Sequence, residues 1–216
     1  MPQGRTGRVF ASTTSGLNNR LLKHTMEAKV KEPMPIEARH EYGKAQNSDA
    51  GMAFLTEARE SLTSSVDKIV HCLGQLEDQD MRWRPHEGHN SIQNILIHLC
   101  GNMRQWIIHG VGGAPDVRNR PREFAERTPI PKPELQQMLE GTVAEALQVL
   151  SAFPRERLLD SRRIQGFDTY VLAAIFDSVA HFVGHTHQIV YITRCLVGDG
   201  YRFQFVPASP EQGAPV

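Results

Sequence analysis

A chain of 216 residues can bury one sizeable core but is short for two full domains, so a single domain with an appendage is expected. Lysine plus arginine equal aspartate plus glutamate at 24 each, which leaves no global field to steer the protein to nucleic acid or an acidic membrane; a small-molecule partner is expected instead. Cys72, Cys100 and Cys195 are odd in number and form no CxxC pair, which suits reduced thiols and a cytoplasmic location, and no apolar run reaches the roughly 18 residues of a membrane span.

Residues 1–50 are rich in Gly, Ser, Thr, Asn and Pro, carry no acid before Glu27 and show no sustained apolar period, and are read as disordered. Arg5, Arg8, Arg20 and Lys23 give this stretch a transit-peptide flavour. A start codon assigned too early, with Met52 near the true beginning, explains the same composition and is the preferred reading.

From Met52 the pattern becomes helical. Phe54, Leu55, Ala58, Leu62, Val66, Ile69, Val70, Leu73 and Leu76 recur every three or four residues, predicting a first helix over 51–77 with one core-facing stripe. The segment "DQDMRWRPHEGHN" has proline, glycine and no period, so it reads as a loop, with Asn90 or Ser91 as the N-cap of a second helix over 91–109. "GVGGAPDVRNRPREFAERTPIPKP" is a long connection with one short helical turn expected at Glu123–Arg127. A third helix begins at Pro131 or Pro133 and ends before Pro154, and a basic, irregular linker over 155–167 leads to Asp168 or Thr169 as cap of a fourth helix reaching Val197. "YRFQFVP" alternates Tyr201, Phe203 and Phe205 as an extended piece that could lie against the helices. Four amphipathic helices, no convincing sheet and one long crossover after helix two predict an all-α four-helix bundle over 51–206, followed by a flexible tail over 207–216.

Three histidines fall within seven residues of the otherwise apolar stretch "DSVAHFVGHTHQIVYI". At about 100° per residue, His181 and His185 share a helix face, with Gln188 near their midline and Asp177 one turn before, while His187 points roughly 160° from His185. HxxxH is the spacing that lets two imidazoles on one helix reach one metal ion. Helix two offers a third ligand: Ser91, Asn94, His98, Asn102, Gln105 and His109 form a polar stripe beside an arc of Ile92, Ile95, Leu96, Leu99, Met103, Trp106 and Ile107. Spacing by itself leaves two readings open, a metal centre or ordinary hydrogen-bonded histidines. A zinc-protease centre is disfavoured, because Phe182 stands where HExxH carries its glutamate.

"HFVGHTHQIV" together with "NSIQNILIHLCGNMRQWI" resembles the DinB/YfiT-like superfamily, and within it an uncharacterised bacterial subfamily with a GNxRQW-like run and an HxxxHxxQI motif; the loop "GVGGAPDVRNRPREF" is similar as well. The resemblance covers about Phe54 to Phe205. It implies an antiparallel four-helix bundle, often dimeric, with zinc or nickel on His98, His181 and His185. Several members of the superfamily are thiol S-transferases for low-molecular-weight thiols or thiol-dependent isomerases, and the resemblance to the subfamily implies no particular reaction among these. His187 departs from the family pattern, in which glycine commonly precedes the glutamine.

Three neutral imidazoles leave a divalent ion its double charge and an open position, so either hydrolysis or thiol transfer is available, and a metal-dependent transferase or hydrolase acting on a small molecule is the leading reading. A non-catalytic metal- or thiol-binding bundle is the alternative. Asn94, Asn102, Gln105 and Gln188 could orient a substrate, and Asp177 could support a ligand imidazole. Trp83 and Trp106 could wall a pocket. Arg118, Arg120 and Arg122 read as a solvated loop that could otherwise attract an anion. Ile97 and Ile108, placed away from the core arc, would form the homodimer patch.

Overall fold

The structure, a computed structural model, describes residues 49–205; the expectations for residues 1–48 and 207–216 lie outside the described residues. Four long helices, a short fifth and a two-stranded hairpin make up the described chain: α1 (Ala50–Leu73), α2 (Ile92–Met103), α3 (Arg120–Ala125), α4 (Lys132–Ala152), β1 (Ser161–Ile164), β2 (Phe167–Tyr170) and α5 (Val171–Val197). The long helices share one core, to which α1 gives Leu62 and Ile69, α2 gives Leu96 and Leu99, α4 gives Leu135 and Leu139, and α5 gives Ile175, Phe182 and Ile189. These are the positions that the three-and-four spacing assigns to the inner faces. Among the described residues, no helix is long and apolar enough to cross a membrane.

Helix ends follow side-chain chemistry. Asp49 caps α1, its Oδ1 accepting from the amides of Gly51 at 3.0 Å and Met52 at 3.2 Å, and the helix stops at Gly74, short of the predicted residue 77. Ser91 caps α2 in a reciprocal box with Asn94, whose Oδ1 lies 2.9 Å from Ser91 Oγ. Past Met103 the helix widens into π-helical turns over Arg104–Val111, with the Gly112 amide bonding the Ile107 carbonyl five residues back at 2.9 Å. This departs from the uniform α-helix expected to residue 109, and it changes the phase of every side chain beyond Met103.

The basic linker is not irregular. Residues 161–170 form an antiparallel hairpin with Ile164 opposite Phe167, closed by Gln165 and Gly166 at φ 53° and 85°. Two consecutive positive φ values match a type I′ turn, which follows the native twist of a hairpin. Ile164 is its one buried strand residue and packs onto Gly110 so closely that a Cβ there would lie 2.8 Å from Ile164 Cγ1. Asp168 and Thr169 therefore sit in β2 and do not cap α5. Its first amides instead donate to backbone carbonyls of the preceding turn, Val171 to Asp160 at 3.1 Å and Leu172 to Leu158 at 2.8 Å.

Two further expectations change. Ile108 is 5% exposed and Ile97 packs half-buried against the core, so the pair forms no outward apolar patch; the π turns carry Ile108 inward. The short helix starts at Arg120, three residues earlier than predicted, because Asn119 accepts from the Arg122 amide at 3.2 Å and Pro121 occupies the first turn. The extended piece that begins at Tyr201 lies at its start against the end of α1, where the Arg202 amide donates to Gln75 Oε1 at 2.7 Å, while Phe203 and Phe205 are exposed.

Candidate metal centre

His98 lies on α2, one side of the core, and His181 and His185 lie one turn apart on α5, which packs against it. One ligand nitrogen from each lies within 4.8 Å of the others, and their ring centroids are 5.0, 5.2 and 4.5 Å apart pairwise. His98 Nε2 and His181 Nε2 are 2.9 Å apart. Two nitrogens each about 2.0–2.1 Å from a common ion must lie within roughly 4 Å of one another, so this pair meets the requirement. His98 is buried, while His181 and His185 are half-buried and border the solvent side.

The outer ring nitrogens decide the tautomers. His98 Nδ1 is 2.8 Å from Glu123 Oε2, and an ionised carboxylate can only accept, so Nδ1 carries the hydrogen and Nε2 keeps its lone pair. His185 Nδ1 lies 2.8 Å from Gln188 Oε1 and is assigned the same way. Ligating histidines characteristically donate their second N–H to a carboxylate or carbonyl oxygen, which fixes the ring and raises the basicity of the ligating nitrogen.

Glu123 is held in turn. Arg118 Nε and Nη2 donate to its two oxygens at 2.7 and 2.9 Å, a bidentate pair with side chains only 2% and 6% exposed. The remaining arm of Arg118 donates to Gln105 Oε1 at 2.9 Å, and Gln105 Nε2 donates to Asp116 Oδ2 at 2.8 Å. Gly101 makes room for this arrangement: a Cβ there would overlap Glu123 Oε1 and lie 2.7 Å from Cδ. Asn94 holds the crossover from the other end, its Nδ2 donating to the Glu123 and Glu126 carbonyls at 3.0 Å each.

The charges settle accordingly. Burial pushes the Glu123 pKa up, but the Arg118 and His98 hydrogen bonds and charges outweigh it, and the carboxyl stays below its ordinary range. Burial and then the neighbouring His185 and His98 lower His181 to about 4. His185 is lowered too, again chiefly by burial. Neutral imidazole is the metal-ligating form.

The other predicted residues divide. Gln105 supports Arg118, and Gln188 supports His185. Asn94 spends its amide on the cap and the crossover, and Asn102 Oδ1 accepts from Ser178 Oγ at 2.9 Å, tying α2 to α5. Asp177 is exposed; the carboxylate on the cluster is Glu123. Trp83 is 39% exposed, and Trp106 turns to the hairpin, donating to Gln165 Oε1 at 3.2 Å. His109 bonds the Ala114 carbonyl and His187 the Val183 carbonyl, both apart from the cluster. Arg118 is buried and paired, contrary to the solvated loop expected. Sequence reasoning missed the role of Glu123, and the available signal was Asn119 with Pro121, which start a helix that carries Glu123 in its first turn.

The family model described as "Protein of unknown function (DUF1572)" matches residues 49–209, a span that contains all three histidines, Arg118 and Glu123. The chain belongs to the DUF1572 family. This DUF1572 chain is also similar in fold to a solved structure, that of the conserved protein of locus from Enterococcus faecalis, with a TM-score of 0.55 and 17% identity over 67% of this chain and 97% of that one. No curated protein matches it. What this DUF1572 member offers chemically therefore rests on its own side chains: three convergent imidazoles, two with an outer nitrogen held by an oxygen acceptor, and a buried ion pair behind one of them.

Proposed function

We propose that His98, His181 and His185 bind a divalent metal ion, zinc or nickel, and that the protein is a metal-dependent enzyme of the thiol S-transferase or hydrolase type. Its substrate is a small molecule of the low-molecular-weight thiol class, in the cytoplasm. The reading treats the four long helices as an antiparallel four-helix bundle of the DinB/YfiT kind. The observation that carries it is the Glu123–His98 hydrogen bond at 2.8 Å beside the two half-buried histidines. A carboxylate buried behind an imidazole is what a metal ligand needs and what an ordinary core histidine does not require.

Bound there, a divalent ion would supply a Lewis acid able to activate water or a thiol. The chain's own residues do the rest. Glu123 and Gln188 hold His98 and His185 in the tautomer that presents Nε2, Arg118 keeps Glu123 ionised, and Phe124, 4.8 Å from the His98 ring, covers that imidazole from water. Among the described residues the cluster comprises three ligating side chains, whereas a structural zinc site is normally closed by four, which favours an open, reactive position.

The alternative, a non-catalytic metal- or thiol-binding bundle, draws support from one feature. The His98–Glu123–Arg118–Gln105 network ties the crossover to α2 with no ion needed. Elemental analysis of the purified protein, then a screen of the metal-loaded form with cellular thiols against a set of electrophiles, separates the readings. Stoichiometric metal with turnover supports the enzyme. Metal without turnover across thiols, electrophiles and hydrolysable esters supports the alternative, and no metal after loading with zinc or nickel rejects the enzyme and leaves only the thiol-binding form of the alternative.

A further inference from the structure

Behind the Arg118–Glu123 pair, on the side away from His98, the crossover leaves a cavity of about 300 Å³ between α2, α3 and α4. This is the lower end of the size range of cavities that hold small ligands. Ile97, Ile130 and Met138 make its interior apolar, and the exposed Val117, Arg104 and Arg122 stand at its edge.

The charges around it are unequally committed. Arg118 also lines the cavity but spends three nitrogens on Glu123 and Gln105, so neither it nor Glu123 has charge to offer. The Arg104 side chain is 47% exposed; one arm donates to Thr142 Oγ1 at 3.2 Å, and the other reaches Glu145 only at 3.4 Å, a loose surface pair of little worth that a better anion can replace. Arg122 is exposed at the start of α3. The one other acid at the edge, Glu126, turns its Oε1 to the amides of Arg127 and Thr128 at 3.0 and 2.8 Å. An apolar chamber edged by two available guanidinium groups complements a molecule with an apolar body and one anionic end, and guanidinium suits carboxylate in particular through its fork of parallel donors.

We infer that this cavity binds a small amphipathic carboxylate, its chain among Ile97, Ile130 and Met138 and its carboxylate between Arg104 and Arg122. The site includes none of the three histidines, although it borders the Arg118–Glu123 pair that touches His98, and it does not depend on a metal ion.

The test uses octanoate as probe and the full-length protein stripped with a chelator, so that coordination of the carboxylate to an ion cannot be read as binding. Isothermal titration should give one saturable site for octanoate, with 1-octanol and octylamine at least tenfold weaker. Arg104→Glu combined with Arg122→Glu should weaken octanoate at least tenfold with unchanged helicity, since both side chains are exposed. Met138→Trp, which fills the chamber and keeps both arginines, should abolish binding. Absence of saturable octanoate binding, equal affinity for 1-octanol, or full affinity in either variant would overturn the proposal.

Discussion

Glu123 Oε2 stands 2.8 Å from His98 Nδ1 although the two residues belong to different helices and are 25 positions apart. The contact makes the crossover part of the candidate metal centre, because the same carboxylate is fixed by Arg118 on the loop and fits only because residue 101 lacks a Cβ.

Glu123→Gln keeps the shape but removes the charge. Outer partners of ligating histidines are typically worth about 10–100-fold in metal affinity, and a loss of that order is expected in competition with a calibrated chelator. The variant also leaves the buried Arg118 guanidinium without its counter-charge, so the melting temperature should fall, by an amount set by a cost on the order of 3–5 kcal/mol. Unchanged metal affinity would show that the contact does not serve the ion.

Gly101→Ala gives a test by sign. In a helix interior alanine is intrinsically better than glycine by about 1 kcal/mol, so an unhindered site would be stabilised. Here the new Cβ collides with the Glu123 carboxyl, and the substitution should destabilise the protein and weaken metal binding together. Thermal melts in the presence and absence of zinc read both effects, and a rise in melting temperature would contradict the geometry.

The helices were legible because burial imposes a three-and-four period on the sequence, and the histidine trio was legible because 100° per residue is a good ruler inside an α-helix. That ruler fails past Met103: the π turns put His109 on the Ala114 carbonyl and Ile108 in the core, where uniform rotation placed one on the polar stripe and the other outside. The hairpin was hidden because its four-residue strands bury only Ile164, so little alternation reaches the sequence. Arg118 and Glu123 were hidden for a different reason. They pair with each other across only five positions, but each looks like a solvated loop charge until α2 brings His98, Gly101 and Gln105 against them from earlier in the chain, and that contact leaves no local pattern.

Acid should weaken the metal-free protein. His181 is lowered in the folded state to about 4 from an ordinary 6.5, so between those values the unfolded chain binds the extra proton. Stability tied to the neutral imidazole is therefore complete above about pH 6.5 and is lost as pH falls towards 4. Melting temperatures of the chelated protein across this window should decline, and His181→Ala should flatten the decline. Any bound metal should be released in the same direction, since protons compete for the ligating nitrogens.

If the protein pairs with a second copy, the outer face of α5 offers the surface. Phe176 is 60% and Tyr191 69% exposed, with exposed Ala180, Gly184 and His187 between them on one stripe. An antiparallel pairing about the middle of that stripe would set Phe176 of one copy against Tyr191 of the other, the self-complementarity a two-fold interface requires. Light scattering should then give twice the 24.3 kDa chain mass, and Phe176→Arg with Tyr191→Arg should reduce it to the single mass. A single mass for the unaltered protein would rule out the homodimer that the resemblance implies.

Asp49 caps α1 through the Gly51 and Met52 amides, and its other oxygen pairs with Arg155 at 2.5 Å, joining the first turn of α1 to the segment after α4. A chain beginning at Met52, the start suggested by composition, discards both contacts and leaves the first amides of the helix without a side-chain acceptor. Loss of such a cap costs about 0.5–2 kcal/mol, and the exposed ion pair adds little. A chain beginning at Gln46 should therefore melt like the full-length protein and bind metal equally, while one beginning at Met52 should keep its helicity and its metal but melt several degrees lower, as should Asp49→Ala in the full chain. Equal melting of the two truncations would make the cap irrelevant, and unfolding of the Gln46 chain would mean that residues before it belong to the domain.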